Sequence, residues 1–225
     1  MNKIVYMGTP NYAKIILEKI LKSKFSVELV LTQPDRLVGR KKILTPPPVK
    51  ELAINYNIEV LQPNKLNEQN IIDKINFIKP DYIIVAAYGQ LLPKEILDIA
   101  PCINLHASIL PLYRGASPIQ QALLNGDEYS GVTAMLMEEG LDTGDILGFK
   151  YIKTNKSPRL DIMMNTLSIL AASLIIDILD NFKNIAPLPQ LNADSINCKK
   201  IKKDDGLVNF VNAKHLYRKY CAYYG

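Results

Sequence analysis

The sequence is poor in the residues that build metal centres and disulfide frameworks. Its 225 residues include three cysteines, two histidines and no tryptophan. Cys102, Cys198 and Cys221 are far apart and form neither a Cys-x-x-Cys pair nor a Cys/His cluster at ligand spacing. They read as reduced thiols, and no metal is expected. Glycine is also missing where nucleotide folds need it. A dinucleotide fold carries Gly-x-Gly-x-x-Gly after its first strand, whereas here Gly8 stands alone before Thr9 and Pro10, and no Walker pattern occurs. That argues against a dehydrogenase or a kinase. No apolar run approaches the roughly 18–20 residues that cross a bilayer. The apolar opening, Met1 to Gly8, is too short for a signal-peptide core and runs into a turn. It reads as a first strand, so a cytoplasmic protein with no membrane partner is expected.

What is present is ordinary for a soluble globular chain, with 48% apolar and 22% charged residues. The length gives room for one well-buried domain and a smaller appendage. The net charge of +5 is concentrated late in the chain. Residues 199–219 hold seven cations against Asp204 and Asp205, an excess equal to that of the whole chain. Such a stretch suits a polyanionic partner, or is a solvated lysine-rich tail.

Hydrophobic periodicity alternates between strand and helix. Strands are expected at 3–7, 26–31, 82–86, 102–105, 132–137 and 146–152. Helices are expected at 11–22, 49–56, 67–77, 117–124, 159–182 and 211–221. The opening strand–helix–strand is a βαβ unit and implies a parallel sheet covered by helices. Tyr82–Ala86 is a continuous apolar run of the kind found in a buried central strand. Residues 184–200 lose periodicity, contain Pro187 and Pro189, and read as a linker.

The chemistry concentrates in two segments. Asn104 and His106 lie two apart at the end of a strand, so both side chains share one face while Leu105 takes the other. In open α/β sheets ligands gather beyond the carboxyl ends of the strands. An amide and an imidazole placed there can act as oxyanion donor and proton shuttle. A lone histidine is also commonly no more than the cap of a buried strand end. The other histidine, His215, sits among lysines and reads as surface. Further on, Gly140 and Gly144 bracket Leu141-Asp142-Thr143 in a tight connection between strands. Asp142 is either an Asx-turn residue or, if its loop folds over His106, the carboxylate that orients the imidazole. A third feature is the loop 33–48, where Arg36, Arg40, Lys41 and Lys42 surround Gly39. Four cations in seven residues can follow phosphates. Basic surface loops are common, but ordered loops of this length are unusual without a function.

The Asn-x-His pair, the loop Ser108-Ile109-Leu110-Pro111 and the later Asp142-Thr143-Gly144-Asp145 resemble the folate-dependent formyltransferase family. Met7-Gly8-Thr9-Pro10, Gln33-Pro34-Asp35-Arg36, Gly39-Arg40, Ala87-Tyr88-Gly89 and Tyr113 to Gln120 are similar to the branch that acts on methionyl-tRNA. The pieces run in order along nearly the whole chain. The resemblance implies an α/β, Rossmann-like parallel-sheet formyltransferase domain over 1–183, a linker over 184–205 and, over 206–225, only a stub of the C-terminal barrel domain that family members carry. It implies N10-formyltetrahydrofolate as co-substrate, initiator methionyl-tRNA as acceptor, and a monomer. Asn104, His106 and Asp142 become the catalytic trio. Folate is expected along Ala86, Ala87, Tyr88, Gly89 and Leu92 and along Ser108, Ile109, Leu110 and Pro111. Arg36, Arg40, Lys41 and Lys42 are expected to meet tRNA, with Arg40 foremost. Two departures stand out. The family's tryptophan-proline pair is replaced by Cys221-Ala222-Tyr223, and Ile109 stands where leucine is commoner. A sugar-nucleotide N-formyltransferase and an inactive remnant that binds folate or RNA remain the competing readings.

Overall fold

A computed structural model describes residues 2–154, 158–208 and 212–224. The chain opens with β1 (Lys3–Gly8), α1 (Asn11–Leu21) and β2 (Ser26–Leu31). A hairpin of β3 (Arg36–Val38) and β4 (Ile43–Thr45) follows, then α2 (Pro48–Asn55), β5 (Val60–Leu61) and α3 (Gln69–Ile78). The middle of the chain forms β6 (Tyr82–Ala86), α4 (Lys94–Leu97), β7 (Cys102–His106), β8 (Arg114–Gly115) and α5 (Pro118–Asn125). Next come β9 (Tyr129–Leu136), β10 (Ile146–Lys153), the long α6 (Leu160–Asn181), β11 (Asn197–Cys198) and α7 (Ala213–Ala222).

Seven strands make one sheet in the order β10-β9-β7-β6-β1-β2-β5. The five from β7 to β5 are parallel, and β9 and β10 add antiparallel pairs at one side. From β1 the chain first winds outward through β2 to β5, then returns to β6 on the other side of β1 and winds on to β7. The β1/β6 boundary is therefore a topological switch point, where strand ends splay and leave a crevice.

Side-chain chemistry explains the layers. All five residues of β6 are buried, as expected of a parallel strand covered on both faces. Ile4, Tyr6, Ile84 and Ile103 point to one face, where they meet Ile16, Leu17 and Ile20 of α1 and Leu167, Ala171 and Ile175 of α6. Val5, Met7, Leu29, Ile83 and Val85 point to the other, against Ile71, Ile72 and Ile75 of α3. Each fully buried Ile or Leu here contributes about 1.5–3 kcal/mol relative to exposure.

Three sequence expectations change. The basic loop 33–48 contains the antiparallel β3–β4 hairpin, with residues 39–42 as its tip. Contrary to the reading of the apolar runs, α6 with its 3-10 extension (Leu160–Asn184) is long and apolar enough to cross a membrane by length and composition. Half of its most apolar window is buried, with Leu167, Ala171 and Ile175 fully enclosed, as in a core helix lying on a sheet. The segment read as a linker lies against the sheet domain. Leu188 exchanges two backbone hydrogen bonds with Ile146, and β11 pairs in parallel with β8. The expected last helix appears as α7, capped by the Asn212 side chain on the N–H groups of Lys214 and His215; residue 211 lies outside the described residues. α7 packs on α5 and buries Cys221 and Ala222.

Candidate active site

A cavity of about 700 Å³ opens at the switch point. Its walls come from Pro10 just after β1, Ala87 to Leu91 just after β6, the end of β7 and the loop before β10. Asn104 and His106 both face it, as the period of two requires, and Asp142 closes over them.

Two members of the trio are joined directly. Asn104 Nδ2 donates to Asp142 Oδ1 at 3.2 Å, and the backbone N–H of Gly115 donates to Asp142 Oδ2 at 2.8 Å. His106 Nδ1 stands 3.6 Å from Asp142 Oδ1, within ion-pair range but beyond a hydrogen bond. His106 Nε2 lies 2.9 Å from the carbonyl of Tyr113. A carbonyl can only accept, so Nε2 carries a proton and Nδ1 is the nitrogen that faces the carboxylate. The imidazole and the carboxylate are 7% and 11% exposed, so a charge on either is little screened by water.

Several further contacts hold this arrangement. Tyr113 has φ 60, and its hydroxyl donates to Asp127 at 2.5 Å while accepting from Asn125 at 2.8 Å. Burial, then the Asp127 hydrogen bond, pushes this phenol up to about 12, so it stays a donor. The ring is thus anchored at one end while the Tyr113 carbonyl meets His106 at the other. The Cys198 thiol also approaches that carbonyl at 3.3 Å, and burial raises its pKa. Asp142 has φ 53, a left-handed backbone uncommon for a residue with a β-carbon, and such strain concentrates at functional sites. At Gly144, a β-carbon would stand 1.8 Å from the Leu136 carbonyl, so only glycine lets the loop turn this closely against β9.

Among the residues expected to bind folate, Ala87, Tyr88 and Gly89 line the cavity, together with Gln90 and Leu91. Ala86 and Leu92 do not. Ala86 is paired to Gly8 in the sheet with its side chain in the core, and Leu92 packs into the core on the α3 face. The loop Ser108 to Pro111 lies behind the site. Ser108 donates to the Leu112 carbonyl, Leu110 N donates to Thr133 Oγ1, and the Pro111 carbonyl accepts from Ile196 N. Ile109 is half-buried and leans toward Gly131 on β9. These four residues therefore support the turn that carries Tyr113.

Arg36, Arg40, Lys41 and Lys42 are all exposed on the hairpin, away from the cavity walls. Leu37, Val38, Ile43 and Leu44 on the same hairpin are more than half exposed, so the element projects from the domain. Its root is fixed by Asp35, which accepts from Lys50 Nζ at 2.8 Å and from Gln62 Nε2 at 2.7 Å. The hydrogen bond from Lys50, then that from Gln62, hold the Asp35 carboxyl below its usual range. Among the described residues, no group of three or more His, Cys, Asp or Glu side chains is placed to hold a metal.

An amide, an imidazole and a carboxylate in a shared cavity at the switch point of a Rossmann-like sheet define a site for acyl-type transfer, in which charge develops on an oxygen. The chain belongs to the formyl transferase family, which matches its residues 2–179. Methionyl-tRNA formyltransferase of a Sulfurovum species is 55% identical over 224 residues, covering 99% of this chain and 74% of that protein. The methionyl-tRNA formyltransferase of a Nitratiruptor species is 53% identical over 223 residues, covering 98% and 74%. Among solved structures, an N-formyltransferase from Helicobacter canadensis in complex with folinic acid and dTDP-3-aminofucose shares the fold. It has a TM-score of 0.76 at 20% identity and covers 99% of this chain and 80% of that one.

Proposed function

We propose that this protein transfers the formyl group of N10-formyltetrahydrofolate to the α-amine of methionyl-initiator tRNA, in the cytoplasm and as a monomer. The observation that carries the chemistry is the direct Asn104–Asp142 hydrogen bond beside His106 in the switch-point cavity. The choice of acceptor rests on relatives more than half identical over nearly the whole chain, named as methionyl-tRNA formyltransferases.

The reaction divides among the three side chains. The amine nitrogen attacks the formyl carbon, a C–N bond forms, and the carbonyl π pair moves onto oxygen. One N–H of Asn104 is engaged by Asp142, which sets the amide plane and leaves the second N–H for the oxyanion. A well-placed donor of this kind contributes about 3–4 kcal/mol in the transition state. His106 Nε2 is held by the Tyr113 carbonyl, so its exchangeable proton is the one on Nδ1, beside Asp142. The attacking amine gives up its proton to Asp142, directly or through a water. As the bond from carbon to N10 breaks, His106 Nδ1 protonates that nitrogen, and the proton at Asp142 restores the imidazolium.

Folate lies against Ala87, Tyr88 and Gly89 in this reading. The hairpin cations Arg36, Arg40, Lys41 and Lys42 follow the acceptor-stem phosphates. The test offers N10-formyltetrahydrofolate together with charged initiator methionyl-tRNA and with a panel of amino-sugar nucleotides. Formylated methionyl-tRNA supports the reading. Turnover on a sugar alone assigns the acceptor to the other branch, and turnover on neither refutes the assignment.

A further inference from the structure

The segment between the sheet domain and α7 carries a side chain that reaches into the machinery of the site. Gln190 Oε1 accepts from Arg114 Nε at 3.0 Å and from Arg114 Nη2 at 2.8 Å. Gln190 Nε2 donates to the backbone carbonyls of Asp142 at 3.0 Å and Gly144 at 2.7 Å. The orientation of the amide is forced, because a guanidinium only donates and carbonyls only accept. Both ends of Gln190 are thus committed, one to a buried cation and one to the loop that carries Asp142. That loop needs holding, since Asp142 sits in the left-handed region with φ 53.

The same segment fixes the other contact of the carboxylate. The N–H of Gly115 that binds Asp142 Oδ2 belongs to β8, and β8 is held by parallel pairing with β11. Arg114, one residue earlier, is 5% exposed, and its backbone N–H donates to the Ile196 carbonyl at 2.8 Å. Its third guanidinium contact goes to Asn192 Oδ1 at 3.0 Å. Residues 188–198 therefore place both the loop of Asp142 and the donor that Asp142 meets.

We propose that Gln190 is a positioning residue for the formyl transfer: it clamps the Asp142 loop against Arg114, so that correct placement of the carboxylate requires residues 188–198 to be seated on the sheet. This inference rests on the assignment of Asp142 to the reaction. A purely structural role, in which Gln190 does no more than satisfy Arg114, makes a different prediction.

Gln190→Glu separates the two roles. A carboxylate still accepts from Arg114, and more strongly, but it has no N–H for Asp142 or Gly144 and presents oxygen to two carbonyl oxygens. Gln190→Ala removes both functions. Turnover is measured on the full chain with N10-formyltetrahydrofolate and charged initiator methionyl-tRNA, alongside thermal melting. Gln190→Glu is expected to melt near the wild type yet lose about 10- to 100-fold in kcat, with KM for the folate within about threefold, the pattern of lost transition-state geometry. Wild-type kcat in Gln190→Glu overturns the proposal, because it leaves Arg114 as the reason for the glutamine; if Gln190→Glu does not fold, Gln190→Ala decides, a lowered kcat supporting the clamp and a wild-type kcat overturning it. Asp142→Asn is run in parallel. If it turns over normally, the parent assignment falls; if it is inactive while Gln190→Glu is active, only the clamp falls.

Discussion

Gly115→Ala should disable the site from outside the trio. Gly115 has φ +121, where a residue with a β-carbon is strained by about 1–3 kcal/mol. An alanine β-carbon would also lie 2.2 Å from the Cys198 carbonyl oxygen, while ordinary contact begins at 3.4 Å, so β8 and β11 must part by about 1.2 Å. Strain and displaced packing together should cost about 2–4 kcal/mol of stability. In a domain of this size that lowers Tm by roughly 2–4 °C per kcal/mol. The larger effect is on the chemistry. Moving β8 carries the Gly115 N–H away from Asp142 Oδ2, now 2.8 Å off, and frees the carboxylate to leave Asn104. A misplacement of about 1 Å can cost on the order of 100-fold in rate. Single-turnover formyl transfer and thermal melting on the purified variant measure both quantities. A kcat within about threefold of wild type would refute the claim that the Gly115 contact positions the carboxylate.

Three further outcomes follow from other parts of the molecule. Arg40→Ala should weaken tRNA binding and lower the slope of log affinity against log salt by about one, while formylation of a small amine is unchanged; equal loss with both acceptors would contradict a phosphate contact. Ile84→Ala, at a fully buried position in β6, should destabilise the fold by about 2–5 kcal/mol in chemical denaturation, and a cost below about 1 kcal/mol would contradict the placement of the core. At the root of the hairpin, the Asp35 pKa is lowered by Lys50 and Gln62, so the support it gives is present above the ordinary carboxylate range of about 4 and is lost as pH falls through the lowered value. Hydrogen exchange in residues 36–45 should therefore show greater opening in acid, and Lys50→Met should show the same opening at neutral pH; unchanged protection in both would contradict the role of the pair.

The sequence made the sheet legible because burial imposed a period on it. β6 and β7 are apolar on both faces or strictly alternating, and a parallel strand in the middle of a sheet has no other option. Asn104 and His106 were legible for the same reason, as polar exceptions at the end of such a strand. The β3–β4 hairpin was not, because its strands are three residues long and exposed throughout, so no face is selected. β8 and β11 pair residues 83 apart in the chain, and two-residue strands carry no local pattern. Asp142 was singled out, but its hydrogen-bond partners were not. The carboxylate was expected to meet the imidazole, whereas it hydrogen-bonds Asn104 and Gly115 and stands beside His106 at 3.6 Å. Gly115 acts through its backbone N–H, which any residue but proline has, and Gln190 lies in an aperiodic stretch. Gly115 stood only within the run from Tyr113 to Gln120, with nothing to mark it as a partner of Asp142, and nothing local marks Gln190.

The central claim is that Asn104 and its carboxylate partner stabilise the charge that develops as the formyl group moves. The direct measurement is formyl transfer from N10-formyltetrahydrofolate to charged initiator methionyl-tRNA, by the wild type and by Asn104→Ala, with folate binding measured on both. The account predicts formylated methionyl-tRNA from the wild type, folate affinity nearly unchanged in the variant, and a kcat lower by about 100- to 1,000-fold. Near-normal turnover by Asn104→Ala, in a protein that binds folate and melts like the wild type, would contradict it.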